Sequence, residues 1–199
     1  RFARQERKDE SRVSVGAKNV ADAISKYADR GMSVDLHAAQ IQEYFQVPFD
    51  NLYSFPALIK HIKQNHPEIL EDLVIASPDT GGTWRAESLR KRLKKQEIET
   101  GMAVGYKIRN KKGELEGLDL NGQVKDCNVL VIDDIVSTGG TMCSTAEIAR
   151  KKGAKSVYGY GTHGIFTSGT EKLKKAFDVF MVGDTLVPPK DVEVVSLIP

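Results

Sequence analysis

The segment that most restricts the fold of this chain is an apolar run that ends in two carboxylates and a glycine-containing loop. Its sequence is VLVIDDIVSTGGT, residues 129–141. Residues 128–132 are predicted to form a continuous apolar strand, which is typical of a strand buried on both faces of a parallel sheet. A helix is predicted from about residue 140 to residue 152, where Gly153 ends it. The segment therefore predicts a strand–loop–helix unit of an α/β protein.

Strands and helices alternate along the rest of the chain. In the second half, further strands are predicted at 73–76, 103–108, 156–161, 178–182 and 192–198, with helices at 84–95 and 168–176. The first half is shorter, with a strand at 32–37 and helices at 17–27, 38–45 and 56–65. Both halves are predicted to be α/β with mainly parallel sheets. Pro67 and the charged stretch 68–72 separate them, which predicts two domains, residues 1–70 and 71–199.

Composition excludes several classes of protein. The 199 residues include 29 Lys and Arg against 27 Asp and Glu, so the net charge of +2 argues against a general nucleic-acid binder. No apolar run approaches the roughly 20 residues that a membrane span needs. The two cysteines, Cys127 and Cys143, lack metal-ligand spacing and are predicted to be reduced, buried thiols. We therefore expect a cytoplasmic protein without nucleic-acid or membrane partners.

The loop after the apolar strand has the chemistry of a phosphate site. Backbone N–H groups, the hydroxyls of Ser137, Thr138 and Thr141 and a helix N-terminus all suit one phosphate. Gly139 and Gly140 allow the backbone to approach a ligand closely. We therefore predict that residues 137–141 bind an anion.

The two carboxylates before this loop, Asp133 and Asp134, need a different partner. Adjacent carboxylates repel each other unless a sugar diol or a metal cation is shared between them. Phosphate at one end and a diol at the other describe a pentose phosphate. The alternative is an N-cap aspartate beside a turn, which explains one carboxylate only.

Two further groups of candidate residues are less specific. Lys107 and Arg109 alternate on a predicted strand, so they are expected on one face; the alternative is an exposed hairpin with solvated charges. His37 and Asp79 each end a predicted strand. A lone histidine in such a position is often a hydrogen-bonded structural residue. His61 and His66 are assigned no role.

Seven motifs in order resemble one enzyme family over essentially the whole chain. Residues 129–141 are similar to the phosphoribosyl diphosphate signature of the type I phosphoribosyltransferase superfamily. The other six resemble ribose-phosphate diphosphokinases and are RQERKD (4–9), VDLHAAQIQ (34–42), DNLY (50–53), SPDTGG (77–82), KIR (107–109) and THGIF (162–166). The resemblance implies two phosphoribosyltransferase-like domains. It also implies that the first domain lacks its N-terminal part and that a C-terminal helix region is missing.

The resemblance implies a reaction: the diphosphoryl group of ATP passes to the anomeric hydroxyl of ribose 5-phosphate, giving phosphoribosyl diphosphate and AMP. Asp133 and Asp134 would hold the ribose hydroxyls, and Ser137, Thr138, Gly139, Gly140 and Thr141 the 5-phosphate. Lys107 and Arg109 would stabilise the transferring phosphates. A Mg²⁺ cofactor and a homo-oligomer built from dimers, up to a hexamer, are also implied.

The resemblance also assigns a nucleotide site to the first domain. Arg4, Gln5, Glu6 and Asp9 would form an ATP-binding arm, and His37 would contact ATP, take part in catalysis or share the Mg²⁺ with Asp79. The family usually has Asp where this chain has Glu6, and many members have Asp where it has Ser137. The alternatives are a non-catalytic regulatory homologue or fragment of the synthetase, and a salvage phosphoribosyltransferase.

Overall fold

The structure is a computed structural model that describes residues 4–8, 14–109 and 115–197, without the side chains of Arg109, Leu115 and Glu116. The chain divides into two compact units, Arg1–Ser54 and Phe55–Pro199. None of the helices within the described ranges is both long and apolar enough to cross a membrane.

The first unit contains a two-stranded parallel sheet formed by β1 (Gly31–Val34) and β2 (Phe49–Leu52). Helix α1 (Gly16–Ser25) and a 3₁₀ helix (Ala39–Tyr44) complete it. Strand β2 was not predicted, because Pro48 and the Asp50-Asn51 pair indicate a break. Both polar residues instead fix the strand: Asp50 pairs with Arg30 at 2.5 Å, and Asn51 Oδ1 accepts the Leu36 N–H at 3.0 Å.

The second unit is built on a seven-stranded sheet with the order β5-β4-β3-β6-β7-β8-β9 in the described residues. All neighbouring strands are parallel except β4 and β5. The strands are β3 (Leu73–Ser77), β4 (Gly101–Arg109), β5 (Leu115–Asn121), β6 (Asn128–Val136), β7 (Ser156–Gly164), β8 (Val179–Gly183) and β9 (Glu193–Val195). The helices are α2 (Phe55–Asn65), α3 (Thr83–Lys94), α4 (Gly140–Lys151) and α5 (Glu171–Ala176), with a 3₁₀ helix at Pro67–Leu70. The predicted α/β class with a mainly parallel sheet is confirmed.

Helices cover both faces of this sheet, and alternate residues of β6 pack on opposite sides. Leu130 and Ile132 lie in the core beneath α2 and α3, whereas Val129 and Val131 lie in the core beneath α4 and α5. All four side chains are at most 1% exposed. The prediction of a strand buried on both faces is therefore confirmed.

The division between the units falls after Ser54, whereas the sequence placed the domain boundary after residue 70. Residues 55–70 belong with the second unit because Phe55, Ile62 and Ile69 are buried in the same core as Leu73. Asn128 Nδ2 also donates to the carbonyls of Glu68 and Glu71, at 2.7 and 2.8 Å. Pro67 and its charged neighbours indicated a linker, but this stretch is bonded to the sheet.

Strand β6 continues past the apolar run and contains both carboxylates, whereas the sequence ended the strand before them. Pairing with β7 extends through Ile135 opposite His163 and Val136 opposite Gly164. The carboxylates are thus held by a sheet rather than by a loop, which fixes their backbone before any ligand binds.

Candidate active site

The loop between β6 and α4 has a conformation that requires glycine at one position. Gly139 is the N-cap of α4 and has φ +70°, in the left-handed region. A Cβ added there would lie 2.8 Å from Leu173 Cδ2, so a side chain would also collide with α5. By contrast, a Cβ at Gly140 would lie 3.6 Å from Thr138 Oγ1, an ordinary contact.

The same loop is anchored on its other side by the segment after β7. The N–H groups of Ile165 and Phe166 donate to the Val136 carbonyl at 2.9 and 3.1 Å, and Thr167 N–H donates to the Ser137 carbonyl at 2.9 Å. Since the N-cap is a glycine, it provides no side-chain acceptor for the first N–H groups of α4. N–H groups at the start of a helix can bind an anion, and Thr138, Gly140 and Thr141 beside them are exposed. The Gly140 N–H donates to Thr138 Oγ1 at 3.3 Å.

The two carboxylates of β6 have different surroundings. Asp134 is 1% exposed, and its Oδ2 lies 3.3 Å from Arg85 Nη2. Asp133 is half-buried and accepts the Asp134 N–H at 2.9 Å. Burial, a hydrogen bond with the Asp134 side chain and the charge of Asp134 raise the pKa of Asp133 to about 7, although Arg85 opposes this shift. Without a ligand, the pair therefore retains a proton to near-neutral pH.

Arg85 is a site residue that the sequence analysis missed. It lies near the start of α3, is 3% exposed, and its guanidinium carbon is 4.7 Å from the centre of the Trp84 ring. Its Nε and Nη2 atoms are buried without a hydrogen-bond partner in the described residues, although Nη2 is paired electrostatically with Asp134. The signal was its spacing: Arg85 precedes Leu89 and Leu93 at four-residue intervals, on the buried stripe of the helix.

A second loop, residues 77–82, joins β3 to α3 next to the carboxylates. Ser77 Oγ donates to the Asp79 carbonyl at 2.6 Å, and Asp79 Oδ1 accepts the Gly82 N–H at 2.9 Å. A Cβ at Gly82 would lie only 2.6 Å from Ser77 Oγ, so this tight turn favours glycine. Asp79 itself is exposed, and its carboxylate is accessible to a hydrated cation.

Lys107 lies on a hairpin that extends beyond the parallel part of the sheet. Strand β3 pairs with β4 only as far as Ser77 opposite Val104, and β4 then continues with β5 alone. Lys107 is exposed opposite Leu118, at the carboxyl end of the parallel strands. The strand pairing is irregular between Ile108 and Arg109, so strict alternation does not extend to Arg109. The Arg109 side chain and residues 110–114 lie outside the described residues.

In the first unit, the residues predicted to bind nucleotide begin the chain and follow β1. Gln5 carbonyl accepts the Ala17 N–H at 3.2 Å, and Glu6 carbonyl accepts a hydrogen bond from the Tyr44 hydroxyl. Arg4 is exposed, and Asp9 lies outside the described residues. His37 is half-buried and follows Asp35, a buried residue with φ +45° whose carboxylate accepts hydrogen bonds from Ser54.

The structure brings some of the predicted site residues together and leaves others in separate units. Asp133, Asp134 and residues 137–141 share one continuous strand and loop. Asp79 lies in the loop after β3 and Lys107 on the neighbouring strand β4, at the same end of the sheet. His37 belongs to the first unit and Asp79 to the second. Their shared Mg²⁺ therefore stays a prediction.

Residues 48–194 match the family described as the phosphoribosyl transferase domain, and the chain belongs to that family. It is 43% identical over 169 residues to a ribose-phosphate pyrophosphokinase of Rhizobium meliloti, covering 84% of this chain and 52% of the relative. It is 39% identical over 194 residues to the Bradyrhizobium diazoefficiens enzyme of the same name, covering 94% and 58%.

A solved structure is similar over nearly the whole chain. This chain and the phosphoribosylpyrophosphate synthetase of Mycobacterium smegmatis superpose with a TM-score of 0.84 at 29% identity, covering 98% of this chain and 64% of the synthetase. The predicted resemblance to ribose-phosphate diphosphokinases is confirmed. The chain spans between half and two thirds of the length of these three relatives.

Proposed function

We propose that this chain acts in the transfer of the diphosphoryl group of ATP to the anomeric hydroxyl of ribose 5-phosphate, with phosphoribosyl diphosphate and AMP as products. The observation that carries the proposal is that one segment places hydrogen-bond acceptors for sugar hydroxyls next to hydrogen-bond donors for a phosphate. Paired carboxylates at Asp133 and Asp134 are followed within a few residues by an anion loop at the start of α4. A pentose phosphate is the ligand that satisfies both.

Ribose 5-phosphate binding assigns a role to each part of the segment. The 5-phosphate accepts hydrogen bonds from N–H groups and hydroxyls of residues 137–141, where the helix dipole also favours a negative charge. Ribose hydroxyls donate to Asp133, the less buried of the two carboxylates. Arg85 holds Asp134 in place beneath it. Donation by the hydroxyls favours the ionised form of Asp133 and displaces its retained proton.

The transfer step requires neutralisation of phosphate charge more than covalent chemistry. Lys107, on the projecting hairpin, provides a cation at the carboxyl end of the sheet, and Arg109 is its expected companion. Asp79 fits a Mg²⁺ because its carboxylate is exposed and oxygen is the ligand atom that this cation prefers. Bound there, Mg²⁺ would supply charge neutralisation for the ATP phosphates. In the first unit, the residues proposed to bind the nucleotide are Arg4, Gln5, Glu6, Asp9 and His37.

The named relatives favour diphosphoryl transfer over the two alternatives. Both curated relatives are ribose-phosphate pyrophosphokinases, which argues against salvage of a nucleobase. A regulatory homologue would not need Lys107, Asp79 and the carboxylate pair. The proposal also includes a cytoplasmic location, in keeping with the free thiols of Cys127 and Cys143, and a homo-oligomer built from dimers.

The test is AMP formation from ATP and Mg²⁺, with and without ribose 5-phosphate. We expect AMP release that depends on ribose 5-phosphate and falls in Lys107→Ala. Calorimetric binding of ribose 5-phosphate, with Asp133→Asn as the variant, separates the sugar site from catalysis. Sugar binding without AMP release would support a regulatory or partial chain, and absence of both would reject the proposal.

A further inference from the structure

Two histidines and a glutamate converge at the edge of the second unit, away from the loops described above. His61 lies in the second half of α2, His66 just after this helix, and Glu193 at the start of β9. Glu193 Oε1 lies 2.6 Å from His61 Nε2 and 2.8 Å from His66 Nε2. One ligand-type atom from each of the three residues lies within 4.8 Å of the other two.

The far nitrogen of each ring is also held by a polar neighbour. His66 Nδ1 lies 3.2 Å from Glu68 Oε1, and His61 Nδ1 lies 3.3 Å from Asn65 Nδ2. Imidazoles that bind metals usually have their second nitrogen fixed by a carboxylate, a carbonyl or water. Glu68 is such a partner for His66. Asn65 Nδ2 also donates to the His61 carbonyl at 3.2 Å, so the amide must move away from His61 Nδ1 when a metal binds at Nε2.

His66 lies between two carboxylates, with Nδ1 3.2 Å from Glu68 Oε1 and Nε2 2.8 and 3.0 Å from the two oxygens of Glu193. A carboxylate only accepts hydrogen bonds, so a ring that donates from Nδ1 to Glu68 can offer its Nε2 lone pair to a metal cation that Glu193 also binds. A divalent cation would also balance the charges of Glu68 and Glu193.

We propose that His61, His66 and Glu193 bind one divalent transition-metal ion of the Zn²⁺ class, with solvent as the fourth ligand. Two imidazoles and one carboxylate suit Zn²⁺, Co²⁺ or Ni²⁺, whereas Mg²⁺ selects oxygen ligands. Tetrahedral Zn²⁺ with bonds of about 2.0–2.1 Å separates its ligand atoms by about 3.3 Å. The two histidine–glutamate distances of 2.6 and 2.8 Å must therefore lengthen by roughly 0.5–0.7 Å. They are 17–32% exposed, which gives them room to move and gives the ion access.

The ion would join parts of the chain that are far apart in sequence. Glu193 belongs to the edge strand β9, whose only neighbour in the described sheet is β8. Residues 61 and 66 belong to the helical segment that covers one sheet face. Metal binding would thus link the edge strand β9 to this helical segment, at a position three strands away from β6 in the sheet. The role of the site is structural and does not depend on the proposed reaction.

The test uses the full chain without a histidine tag, freed of metal with a chelator. Titration with Zn²⁺ in excess Mg²⁺, followed by calorimetry, should show one ion per chain and an increase in Tm because the ion binds the folded state. Co²⁺ should give the visible absorption of a tetrahedral site. Glu193→Gln keeps the side-chain shape and an acceptor oxygen, so it should fold yet lose the Zn²⁺ response. Glu68→Gln should weaken binding about 10- to 100-fold.

His163→Ala is the matched control, since it removes a histidine outside the cluster and should leave Zn²⁺ binding unchanged. Loss of binding in His61→Ala and His66→Ala, with retention in His163→Ala, supports the site. The absence of Zn²⁺ binding by the wild-type chain overturns the proposal. Zn²⁺ binding that Glu193→Gln and His61→Ala leave intact also overturns it, because the ion would then lie elsewhere.

Discussion

Arg85 and Asp134 form an ion pair in the interior of the second unit, with 3.3 Å between Nη2 and Oδ2 and side-chain exposures of 4% and 2%. Burial of two charges costs desolvation free energy, which their mutual attraction offsets only while both are present. The pair joins the start of α3 to the strand that carries the carboxylates. It therefore links the fold to the candidate sugar site.

Replacement of Arg85 by leucine is expected to lower the free energy of unfolding by about 3–5 kcal/mol, because the buried Asp134 carboxylate loses its guanidinium partner. Urea unfolding measures this loss. The double variant Arg85→Leu/Asp134→Leu is the control, since it removes both charges and should recover most of the stability. A single variant as stable as the wild type would show that the pair does not fix the strand.

Alanine at position 139 is expected to destabilise the protein and to prevent ribose 5-phosphate binding. The left-handed backbone costs roughly 1–2 kcal/mol for a non-glycine residue, and the contact with Leu173 adds to this. Thermal unfolding and calorimetry are the measurements. Gly169 has φ +71° and open space around an added Cβ, so Gly169→Ala measures the cost of the left-handed backbone alone. Gly140→Ala is a second control, since this neighbour has neither a positive φ nor a close contact at an added Cβ. Equal losses in all three variants would contradict this account.

Stability without ligand should depend on pH through Asp133. Its pKa of about 7 in the folded chain lies above the ordinary value of 3.8, so the folded state keeps a proton that the unfolded chain loses. The contribution of Asp133 to the free energy of unfolding therefore falls as pH rises from about 4 to 7. Asp133→Asn should remove the fall and should stabilise the ligand-free protein above pH 7 by no more than about 4 kcal/mol.

Urea unfolding over this pH range tests the prediction. Asp119→Asn is a control in which the pKa shift has the opposite direction. Hydrogen bonds from Lys152, the Leu120 N–H and Tyr106 lower the pKa of Asp119 to about 2. That variant should lose stability at neutral pH. An Asp133→Asn variant whose stability stays parallel to the wild type from pH 4 to pH 8 would contradict the retained proton.

Lys107→Ala is expected to lower the rate of AMP formation by about 10²- to 10³-fold, because a cation placed at developing phosphate charge contributes about this much. Its stability should change little, since Lys107 is exposed. Lys155→Ala is the matched control: that side chain is 58% exposed and pairs with Glu71 at 3.6 Å. A similar loss of rate in both variants would indicate a general effect of charge.

The sequence predicted the parts of the fold in which local pattern and tertiary structure agree. The apolar run of β6, its glycine loop and the start of α4 are examples, since burial and turn chemistry lie within one segment. Strand β2 was missed because its polar side chains are stabilised by Arg30 and Leu36, which are distant in sequence. The compact units divide after Ser54 and not after residue 70, and the sequence does not show this because the buried Ile69 lies among charged residues.

The missed site residues share a physical reason. Arg85 is a single charged residue on a helix whose partner lies on another strand. His61 and His66 are close in sequence, but Glu193 comes more than a hundred residues later. The spacing of Arg85 indicates that its side chain is buried, but only the strand order shows which groups these residues meet.

The strand order has one further consequence. From β3 the chain moves outward to β4 on one side, and β6 then begins a second outward series on the other side. The helices after β3 and β6, α3 and α4, therefore cover opposite faces of the sheet. Between their starting points lies a topological switch point, the position at which open α/β sheets generally form a ligand-binding crevice whatever the loop sequence. Substitutions in the two loops can therefore alter which ligand is held there without closing the crevice.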